Sequence, residues 1–203
     1  MKIDRKKRAT KNREGAFTLV ETLVAITVFL LVIIGPMTIA SKGLQNAFFA
    51  NEQTTATFLA QEALESVIRL RDENALDVLD GGAGSDDTWE WLGDLPAGCQ
   101  NTNVRCGYDP TVSGPNMYFP CTGDDCLVRV RPNPVGNKPR FFGHGGGGWS
   151  DSIYTRKLYL EEVSSGKVKI EVTVSWGTTL FSGNSRTVTL QSWIMDHYDR
   201  FEP

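Results

Sequence analysis

Gly15-Ala16-Phe17-Thr18-Leu19-Val20-Glu21 opens an apolar run that continues to Ala40, and a short basic stub precedes it. From Phe17 to Ala40 the chain runs for 24 residues, interrupted only by Glu21 and scattered threonines. A helix needs about 20 apolar residues to cross a bilayer core, so the segment is long enough to span. One carboxylate, Glu21, sits near its start. An ionised side chain in hydrocarbon is costly, so a glutamate in such a segment points to a function and to a partner that neutralises it.

The flanks argue for the same topology. Residues 1–16 carry Lys2, Arg5, Lys6, Lys7, Arg8, Lys11 and Arg13 against Asp4 and Glu14, a net of +5. That leaves −8 for the rest of a chain whose formal total is −3. A basic stub ahead of an apolar span stays in the cytoplasm, and the acidic remainder is passed outward. The acidic exported part also argues against nonspecific DNA binding by charge alone. An ordinary secretory signal has an apolar core of about 7–15 residues and a small-x-small cleavage site behind it. This run is longer. A plain single-pass anchor fits the length, but it gains nothing from Glu21.

The segment around Ala16–Phe17 resembles the N-terminal processing and methylation segment of type IV pilins and of type II secretion pseudopilins. In that family a small residue precedes the cut, and Phe-Thr-Leu-Ile/Val-Glu opens a hydrophobic helix. Here the pattern reads Ala16, then Phe17-Thr18-Leu19-Val20-Glu21. Cleavage between Ala16 and Phe17 makes Glu21 the fifth mature residue, as in the family; cleavage after Gly15, the commoner family residue at the cut, would make it the sixth. The resemblance covers roughly residues 11–70, and only the residues around the cut form a sharp motif. It implies a prepilin peptidase that cuts at Ala16–Phe17 and N-methylates Phe17. It implies assembly with other pilin or pseudopilin subunits, driven indirectly by an assembly ATPase and its membrane platform. Glu21 becomes the assembly carboxylate, meeting the N-terminal ammonium of a neighbouring subunit.

Beyond the apolar run the helical pattern continues. Residues 41–72 are rich in Ala, Gln, Glu and Leu, which favour helix. Leu44, Phe48, Phe58, Leu59, Leu64, Val67 and Ile68 recur mostly at three- and four-residue steps, predicting one apolar stripe. The pattern predicts a continuous helix from about Phe17 to Arg71, roughly 80 Å at 1.5 Å per residue. Gly35-Pro36 falls in its apolar half, where proline removes a backbone hydrogen bond and bends or melts a helix.

After Asp77 the composition shifts to Gly, Pro, Asp and Asn, which mark turns and long loops. Trp89, Trp91, Leu92 and Leu95 suit a short helix packed on a sheet, and Leu127–Arg131 reads as a short strand. From Lys167 to Trp176 the sequence alternates strictly, with Val168, Ile170, Val172, Val174 and Trp176 in one phase. Ile153–Leu160 and Arg186–Trp193 flank it at hairpin spacing, predicting an antiparallel meander. The fold class expected is α+β and pilin-like, with the outer half of a long N-terminal helix packed on a C-terminal antiparallel sheet. Its organisation reads as a cleaved basic leader (1–16), a transmembrane half-helix (17–40), an amphipathic outer half (41–78), a loop region with four cysteines (79–150) and a sheet (151–203).

Cys99, Cys106, Cys121 and Cys126 all lie in the exported loop region, which reads as two disulfides. Four cysteines allow three connectivities. Loop closure costs least between near neighbours, favouring Cys99–Cys106 with Cys121–Cys126 over the crossed alternatives. Their spacings lack the paired short knuckles of structural zinc sites. Asp86-Asp87 and Asp124-Asp125 are the only candidates for a calcium loop, and no acidic series with a closing Glu surrounds them. No metal and no cofactor is therefore expected. The run Gly145–Gly148 lacks the Lys-Ser/Thr of a phosphate cradle. With His144 in that glycine run, His197 beside Asp196, and no catalytic motif, an enzyme is not expected. Arg129, Arg131, Lys138 and Arg140 form a weak basic cluster, which leaves nucleic-acid contact open. The reading reached is a filament subunit of the cytoplasmic membrane with its N-terminus inside. The alternative is a signal-anchored extracytoplasmic binding protein that never polymerises.

Overall fold

A computed structural model of the chain describes residues 18–80, 91–92, 95–96, 98–100, 104–113, 115–121, 126–131, 141–145, 148–164, 166–177 and 185–196. Among the described residues, one α-helix, α1 (Leu19–Leu79), is followed by seven strands, β1 (Cys106–Tyr108), β2 (Tyr118–Pro120), β3 (Leu127–Val130), β4 (Phe142–Gly143), β5 (Ser150–Ser164), β6 (Lys167–Gly177) and β7 (Ser185–Met195), with a short 3-10 turn at Pro115–Met117 between β1 and β2. All the pairings are antiparallel, so the architecture is α+β. Two compact units divide the chain, Met1–Ala47 and Phe48–Pro203.

In the second unit, β5 is the organising strand. One of its edges takes β1 and β3, and the other takes β6, which in turn pairs with β7. The β5–β6 turn passes through Gly166 at φ +70°, a left-handed conformation that suits glycine. β5, β6 and β7 form the meander that the alternation predicts, and Val168, Ile170, Val172, Val174 and Trp176 are all buried. β1, β2 and β4 lie within the stretch read from sequence as loop. They run only two or three residues each, too short for any period to register.

The helix face against the sheet keeps part of the predicted stripe, with Leu59 and Val67 buried and Leu64 and Ile68 packed against the core, and departs from it in the rest. Ala56, Leu59, Ala60, Ala63 and Val67 are buried in the core, whereas Leu44, Phe48 and Phe58 are exposed. Alanines supply much of this buried face. Overpacking such a contact, as Ala60→Leu would, costs about 1–3 kcal/mol. Trp91, Leu92 and Leu95 join the same core. Trp91 and Leu92 do so from a turn and Leu95 from irregular backbone, and not from the expected helix; Trp89 lies outside the described residues.

Polar contacts fasten the sheet to this helix face. The Tyr154 hydroxyl donates to the Glu52 carbonyl at 3.2 Å. The Tyr118 hydroxyl donates to Ser66 Oγ at 2.9 Å, and Ser66 donates to the Ala63 carbonyl at 2.7 Å. Between them lies Arg156 on β5, with no exposed surface. Its Nη1 donates to Glu62 Oε2 at 2.6 Å and to the Leu59 carbonyl at 3.2 Å, and its Nη2 donates to the Tyr108 carbonyl at 2.6 Å. The guanidinium also lies over the Tyr108 ring, 4.8 Å from its centroid. Burial pulls the Arg156 pKa down, and the Glu62 carboxylate opposes that shift. Burial likewise pushes the Tyr118 hydroxyl up to about 12, against a smaller lowering effect of its bond to Ser66.

Disulfides join Cys99 to Cys106 and Cys121 to Cys126, with Cα atoms 5.7 and 5.4 Å apart. Both pairs serve the edge of β5. Cys106 stands opposite Leu158, and the Cys126 carbonyl accepts the Arg156 amide at 3.0 Å. Next to Cys106, Gly107 faces Phe119 across the β1–β2 pair, and a Cβ there would run into the Phe119 ring.

Candidate functional site

The candidate site is the start of α1. Thr18 is its N-cap: the Thr18 carbonyl accepts the Thr22 amide at 3.2 Å, and Thr18 Oγ1 accepts the Glu21 amide at 3.3 Å. Such a side-chain oxygen satisfies one of the orphan donors of the first turn. Thr18-Leu19-Val20-Glu21 follows the S/T-x-x-E pattern of a capping box. Glu21 is the acidic residue of the first turn, where the helix dipole favours negative charge. The carboxylate is thus placed by the helix that carries it. The cap is a functional feature the sequence reading missed, although the S/T-x-x-E spacing directly ahead of an apolar run was visible.

Above this turn the apolar segment satisfies its own polar groups. Thr22, Thr27 and Thr38 donate their hydroxyls to the carbonyls of Leu19, Val24 and Ile34, at 2.9, 2.8 and 2.8 Å. In hydrocarbon such groups have no water to turn to, so internal bonding is the condition for lying there. Pro36 lies inside α1, and its missing N–H withdraws one bond from the ladder at the Val32 carbonyl. The helix runs through it without a break. By length and composition α1 is able to cross a membrane. Its side chains from Leu19 to Ala47 are exposed.

The other candidates divide. Ala16 and Phe17, at the predicted cut, lie outside the described residues, as do Asp86, Asp87, Asp124, Asp125, Lys138, Arg140 and His197. The four cysteines are paired within the second unit, where they brace the sheet. Arg129 is engaged with Asp151 at 3.1 Å, which takes one member out of the basic cluster. His144 packs edge-on against Phe119, with ring centroids 4.8 Å apart. Arg156 was not anticipated as the central polar contact of the second unit. Its signal was an arginine in the inward phase of β5, between Tyr154 and Leu158, where an apolar residue is the norm.

No curated protein and no solved structure matches this chain. A family model does match its N-terminus: residues 11–35 fit the prokaryotic N-terminal methylation motif. The apolar helix and this motif together fit membrane anchoring. The long N-terminal helix with its antiparallel sheet is an arrangement consistent with a pilin-like fold. On residues 11–35, then, the chain carries the prepilin cleavage signal of type IV pilins and pseudopilins, which supports its reading as a pilin-like precursor.

Proposed function

We propose that the protein is a structural subunit, a pilin, minor pilin or pseudopilin, of a type IV pilus or a type II secretion-like filament, and not an enzyme. It enters the cytoplasmic membrane with residues 1–16 inside and its C-terminal domain outside. A prepilin peptidase cuts between Ala16 and Phe17 and methylates the new N-terminus. An assembly ATPase acting through a membrane platform then moves the subunit into a filament built with other pilin-like subunits. The observation that carries this reading is Glu21, held in the first turn of an apolar helix and within the matched methylation motif. A carboxylate there is costly alone, and a neighbour's N-terminal ammonium converts two desolvated charges into one pair.

The test is Glu21→Ala. The isolated helix should insert at least as well without the charge, so membrane insertion and cleavage persist. The loss falls on assembly, because each neighbouring ammonium stays unpaired at a cost of about 3–5 kcal/mol. Sheared-filament and membrane fractions are probed for this chain, and the mature N-terminus is read by intact mass. Equal partitioning of variant and parent refutes the assembly role. A mature chain that still begins at Met1 refutes the precursor reading and favours a protein that is merely anchored.

A further inference from the structure

We infer that a groove beside Glu62 receives the Lys42 side chain of a second copy of this chain. The inference rests on the filament reading above and names one contact within that filament. The groove, about 530 Å³, is lined by Phe58, Leu59 and Glu62 of α1 and by Pro110, Phe141 and Phe142 from the segments next to β1 and β4. Phe58 and Phe141 are 64% and 50% exposed, so two aromatic rings stand open to solvent at its walls. Glu62 is the one charged residue that lines it. Its Oε2 is held by Arg156, and Oε1 has no partner among the described residues.

Charge and shape decide what fits. Asp109 is buried beside Pro110 and Thr111 and accepts the Thr111 amide at 3.0 Å and the Thr111 hydroxyl at 2.7 Å. Its carboxylate and that of Glu62 both act on the single Arg156 guanidinium. Two carboxylates against one guanidinium leave the groove net negative. The fitting ligand is a cation on an apolar stem. Its head meets Glu62 and the aromatic faces, which attract cations, and its stem covers the phenylalanines.

α1 carries such a side chain with no partner of its own. Of its three cations, Arg69 pairs with Glu73 at 3.4 Å and Arg71 with Asp72 at 2.6 Å. Lys42 is exposed and has no ion pair among the described residues. Its neighbours at helical spacing, Thr38, Ile39, Gln45 and Asn46, include no acid. Lys42 and Glu62 are separated by about 30 Å of helix at 1.5 Å per residue, so a chain does not make this contact with itself. One copy offers Lys42 and the next offers the groove. Such a heterologous contact repeats into an open filament. It also sets a stagger of about 30 Å between parallel neighbours, so subunits level with one another in a membrane do not form it.

The experiment replaces Phe141 of the full chain by the photoreactive analogue p-benzoylphenylalanine and expresses it beside an epitope-tagged parent copy. Sheared-filament and membrane fractions are irradiated, and adducts are located by mass spectrometry. In filaments the adduct should join position 141 to residues 38–46 of the tagged copy, and the membrane fraction should yield none. Lys42→Gln in the tagged copy should lower the yield by about five-fold, whereas Lys42→Arg should stay within about two-fold of the parent. An adduct at another part of the second copy, on a different protein, or missing from filaments that contain this chain overturns the inference and leaves the filament reading standing. So does an equal yield from Lys42→Gln, or from the membrane fraction. A chain absent from the filament fraction refutes the filament reading, and this inference with it.

Discussion

Removing Glu62 should damage the C-terminal unit more than removing Arg156, its fully buried partner. Arg156 has no exposed surface, whereas the Glu62 side chain is 40% exposed and bonds to it at 2.6 Å. Glu62→Ala strands a guanidinium in the core with only the Leu59 and Tyr108 carbonyls for company. Deleting one side of a buried pair typically costs about 3–5 kcal/mol. Solvent already screens Glu62, so the figure falls to about 2–3 kcal/mol. Arg156→Met instead removes the buried charge, fills most of its volume, and returns Glu62 to water. Its main cost is the orphaned Tyr108 carbonyl, about 1–2 kcal/mol. The double variant should be no worse than Arg156→Met alone, leaving a coupling of about 2 kcal/mol. Urea unfolding of the full chain in micelles, followed by tryptophan fluorescence, measures all four corners of the cycle; Trp91 and Trp176 are buried reporters. Additive single effects, or a larger loss from Arg156→Met than from Glu62→Ala, would refute the reasoning.

Two further outcomes follow from the same unit. Thiol alkylation without reductant should leave Cys99, Cys106, Cys121 and Cys126 unlabelled, and opening either short loop by Cys→Ser pairs should cost about 2 kcal/mol by loop entropy; four labelled thiols would contradict the pairing. Stability should also fall in alkali. Tyr118 is neutral when protonated and has its pKa raised from 10.0 to about 12, so the native state holds its proton more tightly than the unfolded chain does. The contribution is complete below pH 10 and is lost as pH rises to about 12, roughly 3 kcal/mol in all. Burial raises Tyr108 and Tyr154 in the same direction. Tyr118→Phe should flatten the loss, as read from urea midpoints between pH 9 and 12. An unchanged alkaline slope in that variant would assign the effect elsewhere.

The N-terminal half of this chain was legible from sequence because its constraints are local. A span declares itself by length and apolarity. A glutamate at a set distance from Phe17 needs no neighbour in the fold to be recognised; the cap on the Glu21 amide, which the sequence reading missed, is also a contact over only three residues. The β5–β6–β7 meander was legible for a similar reason: Val168 to Trp176 alternate long enough for a period of two to register. The tertiary structure alone completed the helix face that meets that sheet. Leu59 and Val67 of the predicted stripe are buried there, but Phe48 and Phe58 are exposed and Ala56, Ala60 and Ala63 fill the face instead. A stripe drawn from the larger apolar residues passes over alanine, whose burial depends on what packs against it. Arg156 was decided there too. Its place in the core depends on Glu62, Leu59 and Tyr108, which lie 94, 97 and 48 residues away along the chain, and a buried arginine is tolerated only where the fold brings such acceptors to it.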